Sequence, residues 1–343
     1  MPEMPAVPAR RQPFGFAGHT EDMLSDTPGI HHVTGIVGEV ASSVTFYAET
    51  LGLRLLRTTV NYEDVLQHHL YFGTGEGLPG SVLTVFPDPT GDPGRIGRPG
   101  YEAVTLAVPP DSLDYWRGRL ADRGVETSLP DPDRRFGDRR LRTTDPAGTT
   151  VDLVERDDPR DPWVHGPIPD AAAIRGIDGV AALPTDPYGA ASVLETLGFT
   201  YETETDGCVR YRATGDHAAV VDLLDRDAPF VREGPGTLHH VAVRVPDREA
   251  LLDWHGLFRD RGYDVSRVKD RHFFHSLYVR GPGGLLVELA TEEPTQDGPP
   301  GPGLADPGVD GHATDLYLPG RYAEDRELIE RQLPRVVVDE GEG

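Results

Sequence analysis

Two His-His doublets and one glutamate are the residues in this chain whose types and spacing could do chemistry. His31-His32 sits in GIHHVTGIV, His239-His240 in TLHHVAVRV, and Glu288 in PGGLLVELA. Both doublets fall in runs where apolar residues alternate with period two, the signature of a β-strand. Two imidazoles and one carboxylate are what a 2-His-1-carboxylate facial triad needs. Such a triad holds Fe(II) or a similar divalent ion and leaves positions open for substrate and dioxygen.

Strand parity bears on which histidine of each doublet faces a cleft, because neighbours on a strand point to opposite faces. In HHVAVRV, His239, Val241, Val243 and Val245 share one face, and His240, Ala242 and Arg244 the other. The valine face reads as packed on helices and the mixed face as lining a polar cleft. The second histidines, His32 and His240, are therefore the expected ligands with Glu288. His31 and His239 are left with two readings, packing behind the ligands or catalytic work. His68-His69 in QHHLYFG is a third doublet, read as structural.

The elements that must position these residues form a fourfold repeat, each copy running strand, helix, then up to three strands. The copies open at HHVTGIVG, YEAVTLAVP, GIDGVAALP and HHVAVRVP. Their helices are expected at residues 41–51, 112–123, 189–197 and 248–261, each followed by a glycine suited to a left-handed C-cap. A further helix is expected at 321–333. Aligned by copy, the position of His32 is Ala103, Gly179 and His240 in copies two to four. The position of Glu288 is Thr84, Asp152 and Asp222 in copies one to three. Only copies one and four supply both imidazoles and the acid, so those two should pack together, and copies two and three with each other. The expected fold class is α+β, four βαβββ modules forming two half-open barrels. The expected organisation is an N-terminal arm (1–28), a first domain (29–160), a linker (161–175), a second domain (176–292) and a C-terminal tail (293–343).

Composition narrows the function classes. The formal net charge is -24 over 343 residues, and of 33 basic residues only Lys269 is a lysine. Such acidity disfavours nucleic acid as a partner, since phosphates would be repelled. Dense carboxylates also suit a protein from a high-salt cell. No 18-residue apolar run or signal-type apolar stretch is present, so a cytoplasmic protein without a membrane span is expected. The single Cys208 excludes an internal disulfide or a cysteine-rich metal site.

The segments HHVT, HHVAVRVPD, SLYVRGPGG and VELA, in their βαβββ setting, resemble the vicinal oxygen chelate superfamily of glyoxalases, bleomycin-resistance proteins and extradiol dioxygenases. TVNYEDVLQHHLYFG, PGSVLTVFP and RFGDRRLRTTDPAG bring the chain nearest to ring-cleaving dioxygenases of the para-hydroquinone type. That resemblance implies an extradiol-type dioxygenase acting on a hydroquinone or catechol and inserting both atoms of O2. It implies Fe(II), or Mn(II), on His32, His240 and Glu288, and a pocket lined by His31, His239, Arg271 and Tyr278. In those roles His31 or His239 would move protons, Tyr278 would donate a hydrogen bond and Arg271 would neutralise negative charge. Ile177-Asp178 departs from the Phe-His that relatives tend to carry after the Arg-Gly pair. The alternatives are a glyoxalase-type lyase or isomerase, which Thr84 in place of an acid disfavours, and a non-catalytic binding protein, which the complete His-His-Glu set disfavours. A homo-oligomer is compatible with a fold that often pairs.

Overall fold

The computed structural model describes residues 24–129, 136–205, 207–298, 303–306 and 308–339. Most of the expected N-terminal arm lies outside them. The first module comprises β1 (Ile30–Val37), α1 (Val40–Val44), β2 (Arg54–Asn61), β3 (Asp64–Gly73) and β4 (Val82–Pro87). The second comprises β5 (Gly100–Val108), α2 (Leu113–Asp122), β6 (Thr127–Ser128), β7 (Arg140–Thr144) and β8 (Thr150–Glu155). The third comprises β9 (Gly176–Leu183), α3 (Pro187–Thr196), β10 (Thr200–Thr205), β11 (Cys208–Arg212) and β12 (Val220–Leu224). The fourth comprises β13 (Thr237–Val245), α4 (Arg248–Asp260), β14 (Asp264–Val265), β15 (Lys269–Asp270), β16 (His275–Arg280) and β17 (Leu286–Thr291). A short α5 (Arg326–Gln332) closes the described chain, beginning five residues later than the sequence pattern suggests because Gly320–Tyr322 is a separate 3-10 turn. The first helix likewise departs from expectation: after Val44 it widens into a π-helical turn, Thr45–Thr50. Gly52, Gly124, Gly198 and Gly262 all adopt positive φ, as a left-handed helix end requires.

β1 pairs antiparallel with β13, so the first and fourth modules share one set of strands, as the distribution of imidazoles demands. β5 pairs antiparallel with β9, joining the second and third modules. In each module the last long strand returns parallel to the first: β4 on β1, β8 on β5, β12 on β9 and β17 on β13. Among the named strands of the described residues, the pairing of Leu238 with Tyr101 links the two halves into one mixed sheet. The fold is α+β and the sheet is not a closed barrel. Segments 29–160 and 176–292 each give one module to each half of the sheet.

Burial follows the alternation. Val241, Val243 and Val245 join the main core with Leu251, Trp254 and Phe258 of α4. Ala242, one residue out of phase, packs on the opposite face with Tyr71, Phe273 and Phe274. The helix covers one face of the strand and leaves the other to a cavity.

Candidate metal centre

The register of β1 on β13 contains two residues without a partner. His31 falls between the pairs Ile30–Val243 and His32–Ala242, and His239 falls between Thr34–His240 and Gly35–Leu238. Each is the extra residue of a β-bulge, a device that re-aims side chains beside it. The bulges bring His32 and His240 face to face, ring centroids 5.6 Å apart. β17 runs parallel to β13 with Glu288 opposite Ala242, which slides the carboxylate under both rings.

His32 Nε2 lies 3.2 Å from Glu288 Oε2, and His240 Nε2 lies 2.7 Å from the same oxygen. All three residues are buried, none more than 2% exposed. Donor atoms on one face of an octahedral ion with bonds of about 2.1 Å are separated by about 3 Å, so the spacing fits a first-row divalent ion. A second observation supports that fit. His240 Nε2 and both Glu288 oxygens are buried without an aligned hydrogen-bond partner, despite the short contact between them. Orphaned buried polar atoms are costly, and an ion at the point where they converge would satisfy all three. Among the described residues this is the group of three whose ligand atoms come within 4.8 Å of one another.

Electrostatics point the same way. Burial pulls the His240 imidazole down to about 4, with Glu288 only partly opposing it, and burial likewise keeps His31 neutral. Neutral imidazole is the ligating form. Burial would raise the Glu288 carboxyl, but His240 and His32 outweigh it and hold the group ionised.

The remaining expected residues divide by position. A small inner chamber is lined by the triad with Asn61, Tyr62, His69, Tyr71, Phe86, Arg271, Phe274 and Tyr278. It opens into an outer chamber of about 470 Å³ that reaches His239, Gln67, Ser266 and Lys269. Arg271 and Tyr278 border both chambers, and Arg271 Nη2 donates to the Tyr278 hydroxyl at 3.1 Å. His239 borders the outer chamber, its Nδ1 2.6 Å from His240 Nδ1. His31 makes the matching contact to His32, Nδ1 to Nδ1 at 3.0 Å, but is 2% exposed and packs against the Phe274 ring behind the site. Arg244, expected beside His240 on the cleft face, instead pairs with Glu292.

Sequence reasoning undervalued His69. Its Nε2 hydrogen-bonds Thr84 Oγ1 at 2.9 Å, and Thr84 in turn meets Thr34 Oγ1 at 2.8 Å. The signal was available: His69 and Tyr71 share a face of β3 at spacing two, and both reach the inner chamber. His68, on the other face, is buried and bonds Pro334 O at 2.8 Å, a structural role. Asn61, Tyr62 and Phe274 lie in or beside turns and carried no periodic signal.

The Glyoxalase/Bleomycin resistance protein/Dioxygenase superfamily model matches residues 29–153 and 193–289. Over 314 residues the chain is 35% identical to the "Putative ring-cleaving dioxygenase MhqO" of Bacillus subtilis (strain 168), covering 91% of this chain and 97% of that protein. It is 32% identical over 282 residues to the chlorohydroquinone/hydroquinone 1,2-dioxygenase of Sphingobium indicum, covering 76% and 84%. A crystal structure of a "putative dioxygenase" from Bacillus subtilis subsp. subtilis str. 168 superposes with a TM-score of 0.83 at 34% identity, covering 92% of this chain and 99% of that one. Glyoxalase I from Zea mays superposes with a TM-score of 0.58 at 16% identity, covering 77% and 92%, a likeness of fold. The chain belongs to the Glyoxalase/Bleomycin resistance protein/Dioxygenase superfamily.

Proposed function

We propose that the protein is a metal-dependent ring-cleaving dioxygenase, extradiol in type, that opens a hydroquinone- or catechol-type diol with both atoms of O2. The observation that carries this reading is the convergence of His32, His240 and Glu288 on one point with unpartnered ligand atoms. The names of the relatives at 32–35% identity support the reaction class. Thr84 stands where a glyoxalase-type site would place a further acid, and its hydroxyl is already taken by Thr34 and His69.

In this reading the triad would hold Fe(II), or Mn(II). When bound, the ion lowers the pKa of a coordinated diol hydroxyl and gives the electrons of the ring a route to O2. The chain's own groups do the rest. His239 borders the outer chamber, and burial keeps its imidazole below the ordinary value and so neutral; with its Nδ1 against His240, its Nε2–H is left to donate to a bound diol or dioxygen. His31, sealed behind His32, orients its neighbour. Burial, with Glu288 nearby, pushes the Tyr278 hydroxyl well above its usual range, so it stays protonated. That oxygen accepts from Arg271, so its own proton points to the Glu288 side of the cavity, where it can donate. Burial works against charge on Arg271, but Tyr278, Glu288 and Glu63 hold the guanidinium charged, where it can offset developing negative charge. Phe86 and Phe274 narrow the inner chamber to about 20 Å³, so the ring of a diol would lie in the outer chamber with only its oxygen reaching inward. The described residues include no helix long and apolar enough to cross a membrane.

The test is anaerobic loading with Fe(II) followed by oxygen uptake with hydroquinone, chlorohydroquinone, methylhydroquinone and catechol. Uptake matched by a ring-opened chromophore is expected. Tight metal binding with no uptake on any diol would overturn the reading.

A further inference from the structure

Glu63 lies in the turn joining β2 to β3, and its side chain is 56% exposed. Its Oε1 gathers two cations at once: Arg271 Nη2 at 3.0 Å and the ammonium of Lys269. Arg271 Nη2 is the same atom that donates to the Tyr278 hydroxyl. One guanidinium nitrogen therefore bridges a carboxylate at the cavity mouth and the hydroxyl above the metal centre. Lys269 Nζ and Arg271 Cζ both sit over the Tyr278 ring, 5.1 and 5.4 Å from its centroid. Two cations beside one ring repel each other, and Glu63 is the anion that holds them together. Its own backbone is fixed, because Glu63 N–H donates to Asn61 Oδ1 at 3.0 Å, and Asn61 lines both chambers.

We propose that Glu63, backed by Lys269, is a positioning residue for the ring-cleaving reaction: it holds the Arg271 guanidinium against the Tyr278 hydroxyl. The inference rests on the dioxygenase reading above and adds to it two residues at the wall of the outer chamber that act through Arg271. Without the Glu63 carboxylate, Arg271 loses its outer anchor and is pushed away by Lys269. The Tyr278 hydroxyl then loses the donor that directs its proton. Exposed ion pairs add little to folding stability, so the loss should appear in catalysis and not in the melting curve. Partners that orient a catalytic group typically matter by one to two orders of magnitude in rate.

The experiment compares wild type, Glu63→Gln and Glu63→Met. Glutamine keeps an oxygen that can accept from Arg271; methionine keeps the length and loses the acceptor. The expected result is a fall in kcat with hydroquinone of roughly tenfold in Glu63→Met, a smaller fall in Glu63→Gln, and unchanged KM, bound metal and melting temperature. A second readout needs no activity. In the metal-free protein labelled with 15N-arginine, the Arg271 side-chain signal is identified by its loss in Arg271→Lys. It should be sharp in wild type and averaged in Glu63→Met. Wild-type kinetics with an unchanged signal would overturn the proposal, as would a rate loss matched by lost metal or a lower melting temperature. A wild type inactive on every diol would overturn the dioxygenase reading, and the arginine signal would then decide the positioning claim alone.

Discussion

A ligating imidazole turns a bare nitrogen toward its ion, so its proton must sit on the other ring nitrogen. For His240 that is Nδ1, 2.6 Å from His239 Nδ1; His239 must then accept there and keep its proton on Nε2. The same reasoning makes His31 the acceptor from His32. In the proposed site each doublet would thus supply a ligand and the group that fixes its tautomer, which would account for the two histidines being adjacent. Two predictions belong at this scale. Glu288→Gln replaces the proposed charged ligand, itself 1% exposed, by a neutral amide. It should reduce bound iron, measured by elemental analysis after desalting, from stoichiometric to near zero and abolish oxygen uptake; full metal content in the variant would remove Glu288 from the ligand set. Tyr278→Phe removes one proton donor and no ligand. It should keep its metal and lower kcat by about 10²-fold, the scale of a lost acid or a lost donor to developing charge. An unchanged kcat would reduce Tyr278 to packing.

The strands deliver those groups, and here sequence and structure part company at particular residues. Alternation in HHVAVRV was enough to place His240 and Ala242 away from the helix-covered valines. The modular pattern was enough to pair copy one with copy four, because only they hold the imidazoles. Alternation could not show that His31 and His239 are bulge residues, since a bulge is a property of two strands in register and neither strand alone encodes it. That is why His239 at the cavity wall had to be seen; Arg244 keeps the parity of His240 and Ala242, but lies further along β13, where Glu292 takes it. Nor could it foresee the tail, whose residues fold back on β2: Leu55 N–H donates to His312 Nδ1 at 2.9 Å, and the His312 ring meets the edge of Trp163, centroids 4.6 Å apart. Burial first, then Arg54, pulls the His312 imidazole down to about 4. The unfolded chain would bind a proton on this residue near pH 6.5. As pH falls from about 6.5 to about 4, the unfolded state takes up a proton that the folded state refuses, and stability declines. Urea midpoints at about pH 7.5 and about pH 5 should therefore differ less in His312→Gln than in wild type. Equal differences would mean that the tail does not hold this histidine neutral.

At the scale of the whole molecule, the two halves of the sheet answer the same architectural question differently. The bulges recur on β5 and β9, at Glu102 and Asp178, the positions of His31 and His239 in the other half. Ala103 and Gly179 replace the ligands, and Asp152 and Asp222 remain where Glu288 stands. Arginines engage these acids: Arg142 is bidentate on Asp152 at 2.7 and 2.8 Å, and Arg210 is bidentate on Asp222 at 2.7 and 3.0 Å. Asp138 ties Arg140, Arg156 and Arg210 together, and this contact outweighs burial and holds its carboxyl far below the usual range. Guanidinium groups thus do here what an ion is proposed to do in the first half, neutralising carboxylates that the strand pattern buries. The consequence is a separation of labour that mutation can expose. Arg210→Met keeps the apolar stem and strips the charge from above Asp222, which is 1% exposed. Breaking a buried pair by removing one partner costs about 3–5 kcal/mol. Arg140 Nη2 lies 3.6 Å from the same carboxylate and offsets part of that, so the loss should fall near the lower end, about 3 kcal/mol. Denaturant unfolding should show that loss while bound iron per folded molecule stays at the wild-type value. A parallel loss of iron would mean that the two halves are not energetically separable and that the arginine cluster also shapes the metal centre through the Leu238–Tyr101 junction.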